Sequence, residues 1–537
     1  MLLLLQASGL YAQYDPAPAE SETQRADLIL RNGIVHAESG LHSALAVDGP
    51  VIIAVGDDEQ ITELTGINTR IIDLEGASVF PGLHDMHVHP ALAGFEEISC
   101  KVSHRFNLDQ IFERLEKCVA AVEPGEWVIG RAYDPEAFGD AAPHRSMLDA
   151  IAPNNPVLLN DISGHSAWVN SKVLELAGYT ADTPNPDGGI IERDAEGVPT
   201  GLLHETAMGS VYALRPEPSR ASYRKATRWA LDVMLSNGIT SLVDASTSEA
   251  EALAYADLYD EGYLKQRVRS CVWAADTQIV ERRNHFARER FRPDCVKLFL
   301  DGVPTDSHTA AMVEPYLPKD GTTKKDRVRG ILMMPAEKVA ELTLQYDSMG
   351  LVVKYHAAGD QAVRTALDAI AAARQINGMN GLRHNPGHTT FIQPSDIARA
   401  KALGATLEFS PYLFAPSPIV VNISKAIGGP RMARMYALRE AVDAGVHVVV
   451  GSDWPVVPFV NPWIAIELMV TRQRPGGSSQ RTAPSQGITL SEAIDMFTIK
   501  AAEQMNMASF VGSIAVGKFA DLAVVDQNVF AVPITRV

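Results

Sequence analysis

Two histidines one residue apart, His87 and His89, sit in Pro81-Gly82-Leu83-His84-Asp85-Met86-His87-Val88-His89-Pro90, directly after an apolar stretch. In extended chain, residues i and i+2 share a face, so the two imidazoles point the same way. Two imidazoles on one face suit Zn²⁺ and similar divalent ions. Asp85 shares that face, available as a direct ligand or as a partner behind one. An isolated H-x-H is more often a pair of ordinary loop histidines. What decides is what else the chain brings to the same place.

Four further polar residues lie in comparable surroundings. His356 follows Leu351-Val352-Val353-Lys354-Tyr355, and His388 follows Arg383-His384-Asn385-Pro386-Gly387. Asp453 ends Val448-Val449-Val450-Gly451-Ser452-Asp453. Lys297 lies inside Cys295-Val296-Lys297-Leu298-Phe299-Leu300, where an unpaired ammonium is costly. Each has a bland explanation alone. Together, on separate strands, they point to one constellation.

The elements that must position them alternate between strand and helix. Candidate strands are Ser78–Leu83, Ile239–Asp244, Gln266–Val272, Cys295–Leu300, Leu351–Tyr355, Gly387–Phe391, Ala405–Phe409 and His447–Gly451. Amphipathic stretches such as Ala336–Met349, Gln361–Ile376 and Pro394–Leu403 lie between them. That alternation predicts an α/β protein with a parallel sheet. Eight strands close naturally as a (β/α)8 TIM-like barrel, with a doubly wound sheet as the runner-up; barrel sites form at the C-terminal strand ends. The first two strands are about 150 residues apart where a crossover needs about a dozen, so a large insertion after strand 1 is expected at about 95–225.

Short strands also occupy both ends. Asp27–Val35 reads as a strand, an Asn32-Gly33 turn and a second strand, followed by Val51–Gly56 and Thr69–Leu74. Gly517–Asp526 reads as a strand after a turn. The expected organisation is a small β-sandwich domain built from both termini, 26–80 and 506–537, flanking a barrel at 81–505. Residues 1–25 read as a truncated signal peptide and linker: Met1–Leu5 is apolar and Ala12 could end a cleavage site, but no basic region precedes them. Both an exported, periplasmic location and a cytoplasmic one stay open.

Lys plus Arg number 47 against 65 for Asp plus Glu, a net charge of −18 that argues against nucleic acid or an anionic membrane as main partner. A 46% hydrophobic and 21% charged composition excludes collagen-like and disordered classes. No stretch of ~18 apolar residues predicts a transmembrane segment. The 4 cysteines are too few for a disulfide framework and show no C-x-x-C spacing. Export would allow Cys100 and Cys118 to pair. Gly164-His165-Ser166 does not match G-x-S-x-G, which leaves a serine hydrolase without an anchor.

The order H-x-H, Lys, His, His, Asp resembles the amidohydrolase superfamily, metal-dependent hydrolases on a (β/α)8 barrel. Several segments resemble its family 3 branch, which includes N-substituted formamide deformylases. They are Phe80–His89, Gly164-His165-Ser166-Ala167-Trp168-Val169-Asn170-Ser171, Val296–Gly302, His356-Ala357-Ala358-Gly359-Asp360, Gly451-Ser452-Asp453-Trp454-Pro455 and Gly512–Asp521. The resemblance implies His87, His89, Lys297, His356, His388 and Asp453 as metal ligands, with zinc the expected metal. Lys297 would be carboxylated and bridge two ions, the first held by His87, His89 and Asp453 and the second by His356 and His388; some members use one ion. Asp453 would also be the catalytic proton carrier, and His165 would lie near the substrate. One departure is Ser307-His308-Thr309-Ala310, where the family usually has Ser-Arg-Thr-Ala. A titrating His308 in place of a fixed cation is expected to shift substrate preference from the family's.

The implied activity is hydrolysis of a C–N bond in an amide, N-formyl or N-acyl compound by hydroxide that a metal generates near neutral pH. The implied partner is a small-molecule amide-type substrate, and a homo-oligomer stays open. Three rivals remain. A deaminase of cyclic amidines or aminopyrimidines usually lacks the lysine. A phosphotriesterase- or lactonase-like hydrolase would show on an ester panel. A non-catalytic binding scaffold would have lost ligand positions.

Overall fold

The computed structural model describes residues 25–103, 105–139, 142–161, 166–186, 189–305, 308–318 and 328–537. The chain divides into two compact units. The apolar N-terminal segment and His165 lie outside the described residues.

The smaller unit runs to Pro81 and takes in Ser509–Val529. One sheet has the order Val51–Gly56, Ala44–Asp48, Ala26–Arg31, Thr65–Asp73; the other has Leu522–Val525, Ser78–Pro81, Ile34–Ala37, Gly40–His42. Leu30, Leu45 and Val47 of the first sheet share a buried cluster with Val35 and Val79 of the second. The expected strand, Asn32-Gly33 turn and second strand are present, but the two strands do not pair with each other. Ala26–Arg31 pairs with Ala44–Asp48 while Ile34–Ala37 pairs with Gly40–His42, so the chain changes sheets at that corner. Asn32 takes a left-handed φ of 56°, and a Cβ at Gly33 would come 2.4 Å from Leu74 Cδ1. A turn signal reports a local bend and not which strands it joins.

The larger unit holds Gly82–Ala508 and Phe530–Val537. The last eight residues therefore leave the C-terminal β-part expected at 506–537. Ile534–Arg536 turns against the helix Pro462–Thr471 instead. The core of this unit is eight parallel strands: β1 Leu83–Val88, β2 Ile239–Thr247, β3 Arg267–Trp273, β4 Phe291–Phe299, β5 Val352–Ala357, β6 Asn385–His388, β7 Thr406–Phe409 and β8 His447–Val450. β1 to β6 form one sheet in chain order, and β7 pairs with β8. The seams are bridged by Thr406 N donating to His384 O at 3.0 Å and Asp453 N donating to His87 O at 2.7 Å. This is a TIM-like barrel.

The sequence reading begins the barrel at Ser78–Leu83, but Ser78–Pro81 belongs to the smaller unit's sheet and β1 carries the histidine motif itself. Pro81-Gly82 separates the two strands. A Cβ at Gly82 would come 2.1 Å from Thr240 Oγ1, so only glycine lets the chain pass the start of β2. Helices such as Ala336–Ser348 and Asp360–Asn377 return the chain between strands. In the latter, Ala362, Val363, Ala366, Leu367, Ile370 and Ala373 are buried at helical spacing, which makes it a one-faced wall element.

Between β1 and β2 lies a six-stranded sheet from Cys100–Lys101 to Pro199–Glu205, with its own core. There Trp168 is fully buried against Tyr133 and Phe138, at ring-centroid distances of 5.9 and 5.1 Å. All four cysteines are paired: Cys100 with Cys118, the pair the sequence allowed, and Cys271 of β3 with Cys295 of β4. The second pair was not foreseen. It joins register partners on adjacent strands, positions that sequence spacing does not reveal. Among the described residues no helix is long and apolar enough to cross a membrane.

Candidate metal centre

Strand alternation turns His87 of β1 into the barrel, and His89 follows as the residue before the helix Pro90–Ile98. Asp453 comes three residues after the end of β8. A close backbone crossing brings the two ends together. A Cβ at Gly451 would lie 2.3 Å from His87 Cβ, so glycine is required for β8 to reach β1. Asp453 N then donates to His87 O at 2.7 Å, and His89 N to Trp454 O at 2.9 Å. Asp453 Oδ1 stands 3.4 Å from His89 Nε2 and 3.7 Å from His87 Nε2. One donor atom from each of the three residues lies within 4.8 Å of the other two, a cluster able to hold a metal ion.

His388, at the end of β6, has its ring centroid 4.5 Å from that of His87 and 4.4 Å from that of His356. Its Nδ1 is 3.2 Å from Ser410 Oγ and 3.9 Å from Asp453 Oδ2. His388 and Asp453 both have left-handed backbone, with φ of 65° and 61°. Such conformations cost about 1–3 kcal/mol each and persist where surrounding structure enforces them.

His356 lies near the end of β5, with Nδ1 3.1 Å from Asp301 Oδ1. Asp301 also accepts from the backbone N–H groups of Ala311, Ala358 and Gly359 at 2.8–3.0 Å. Its oxygens are thus committed to the loops around His356, not to Lys297. Lys297 Nζ is 3.5 Å from His87 Nε2 and 5.1 Å from the Phe299 ring centroid. Burial, then the charge of Lys354, pushes the Lys297 ammonium down to about 7. Burial, followed by neighbouring cations, holds His87 and His388 well below the usual imidazole range. Neutral imidazoles are the form that metals bind.

Beneath these groups sits a polar network. Lys354 of β5 points inward, pairs with Glu408 of β7 and donates to Met86 O at 2.9 Å. Glu408 Oε1 is 2.5 Å from His87 Nδ1, and Asn385 Nδ2 donates to Oε2 at 2.7 Å. Burial raises the Glu408 carboxyl and lowers the Lys354 ammonium, and each charge is the other's chief counterweight. Sequence reasoning missed these residues. The signal was present, since Lys354 interrupts an apolar strand just as Lys297 does.

Asp85 accepts from the backbone N–H of His87 at 3.1 Å and of Ser452 at 3.0 Å, and burial raises its carboxyl to about 6. It therefore braces the β1–β8 crossing. His308 is buried with its ring parallel to Tyr316, centroids 4.3 Å apart.

The amidohydrolase family profile matches residues 70–537. The chain is 28% identical over 530 residues to N-substituted formamide deformylase of Arthrobacter pascens, covering 94% of each protein. It is 28% identical over 522 residues to the protein LONG AFTER FAR-RED 3 of Arabidopsis thaliana, covering 94% of this chain and 88% of that one. A solved structure of an uncharacterized metal-dependent hydrolase from Pyrococcus furiosus is alike in fold, with a TM-score of 0.75 at 24% identity, covering 93% of this chain and 99% of the other. The family implies a hydrolase that uses a divalent metal and a small-molecule substrate. The chain belongs to the amidohydrolase family, in its family 3 branch.

Proposed function

We propose that the protein hydrolyses the C–N bond of an amide, N-formyl or N-acyl compound. The observation that carries this reading is the convergence of His87, His89 and Asp453 within 4.8 Å at the C-terminal ends of β1 and β8. The formamide deformylase relative supports a C–N bond as the target. His87, His89 and Asp453 would hold one ion and His356 and His388 a second, with a carboxylated Lys297 as a ligand to both. The mixed imidazole and carboxylate donors suit zinc. A bound divalent ion supplies a water of lowered pKa and polarises a carbonyl oxygen.

The chain's own groups do the rest. Asp453 Oδ1 faces the His87 and His89 imidazoles, and Oδ2, 3.9 Å from His388 Nδ1, would take a proton from the attacking water and pass it to the leaving nitrogen. Lys297 is buried beside Lys354 and, among the described residues, has no carboxylate partner. A neutral amine there can add carbon dioxide through its nitrogen lone pair and, on releasing one N–H proton to solvent, become an anionic, two-oxygen ligand. His308, the insertion at about 95–225 and His165 are assigned to the substrate pocket, and the two terminal sheets to a β-sandwich. Metal analysis with a panel of N-formyl, N-acyl and ester substrates tests the reading. Co-purifying metal and chelator-sensitive amide or formamide turnover are expected. Absence of metal, or turnover of esters alone, refutes it.

A further inference from the structure

Glu408 stands behind His87, on the side of the ring away from Asp453. Its Oε1 is 2.5 Å from His87 Nδ1, while His87 Nε2 faces Asp453 Oδ1 at 3.7 Å and Lys297 Nζ at 3.5 Å. We propose that Glu408 is a positioning residue of the metal centre, fixing His87 as the tautomer with hydrogen on Nδ1 so that the Nε2 lone pair is presented to the ion. This rests on the metal-dependent reading above.

The donors around Glu408 decide which nitrogen carries the hydrogen. Oε2 receives both Lys354 Nζ and Asn385 Nδ2, so the group is held as an acceptor carboxylate. Oε1 must then accept from the imidazole nitrogen facing it. A neutral imidazole has one N–H, which leaves Nε2 with its lone pair free. The opposite tautomer would aim an N–H at the ion and could not ligate it. Carboxylates behind ligating histidines commonly set orientation and basicity in this way.

A plainer account makes Glu408 only the counter-charge of Lys354. That account leaves out Oε1, which faces His87 Nδ1 beside Gly387 while Lys354 and Asn385 take Oε2. The Gly387 backbone is outside the left-handed region, so conformation does not demand glycine. A Cβ there would come 3.0 Å from Glu408 Oε1, 3.0 Å from Tyr355 O and 3.5 Å from His87 Nδ1. The missing side chain opens the space in which Glu408 and His87 meet.

The test titrates the metal-free full chain with Co²⁺ alone, read by its visible absorption and by competition with a chromophoric chelator. Two variants are compared with the wild type. Glu408→Asp keeps a charge opposite Lys354 but withdraws it from His87 by one methylene. The pair Glu408→Gln with Lys354→Met removes both charges together. Co²⁺ affinity weaker by about 10–100-fold, with an altered absorption band and unchanged circular dichroism, is expected for each. A folded variant within about threefold of wild type, with the wild-type spectrum, overturns the role. If the double variant fails to fold, Glu408→Asp decides alone. Wild type that binds no Co²⁺ removes the metal-dependent reading itself, and this role with it, before any variant is compared.

Discussion

Lys297 and Lys354 are register partners on β4 and β5, and of these two buried lysines only Lys354 has a carboxylate partner among the described residues. Two ammonium groups so placed repel one another. The barrel neutralises one with Glu408 and leaves the other facing His87. The two lysines therefore call for opposite outcomes on removal.

Lys297→Ala is expected to lower metal content and activity while keeping the fold, with partial rescue by added short-chain carboxylic acids. Lys354→Ala instead leaves Glu408 buried and unpaired, and should cost about 3–5 kcal/mol of stability. Metal analysis and urea unfolding of both variants check this. Full metal content and activity in Lys297→Ala would show that the amine is no ligand.

Asp453→Asn should lower kcat by about 10²–10⁴-fold, the usual cost of losing a positioned proton carrier. Asn tolerates the left-handed φ of 61° at this position, so the backbone should hold. Unfolding midpoints beside steady-state rates separate the two effects. Near-normal turnover would move the proton to another residue.

Gly451→Ala tests the crossing of β8 over β1. The added carbon would meet His87 Cβ at 2.3 Å and His87 N at 2.4 Å, atoms that cannot swing aside. Overpacking of this kind costs about 1–3 kcal/mol or more and should displace Asp453 from His87 and His89. Wild-type stability together with wild-type metal content would contradict the geometry.

His84 is fully buried, neither ring nitrogen has a hydrogen-bond partner among the described residues, and burial pushes its pKa down to about 3. The unfolded chain, with histidine near ~6.5, takes up the proton first as pH falls. Its contribution to stability is complete above about 6.5 and declines toward 3, by about 1.4 kcal/mol per pH unit. Urea unfolding at pH 7 and pH 5 should show a shallower pH dependence for His84→Leu than for the wild type. Identical slopes would reassign the acid sensitivity.

The sequence by itself determined the strand–helix alternation of the barrel and the polar residues at its strand ends. Both are written in local patterns: a two-residue period turns His87 inward, and an apolar run marks each strand. Which residues meet was decided only by the tertiary structure. Glu408 and His87 are 321 positions apart, and it is closure of the ring through β7 and β8 that sets them 2.5 Å from each other. The same holds for Cys271 with Cys295, paired by the register of β3 on β4, and for Asn32-Gly33, whose turn opens onto a different sheet. Side-chain periodicity is a property of a few neighbouring residues. Register and closure come from the packing of the whole barrel, so they have no local signature to read.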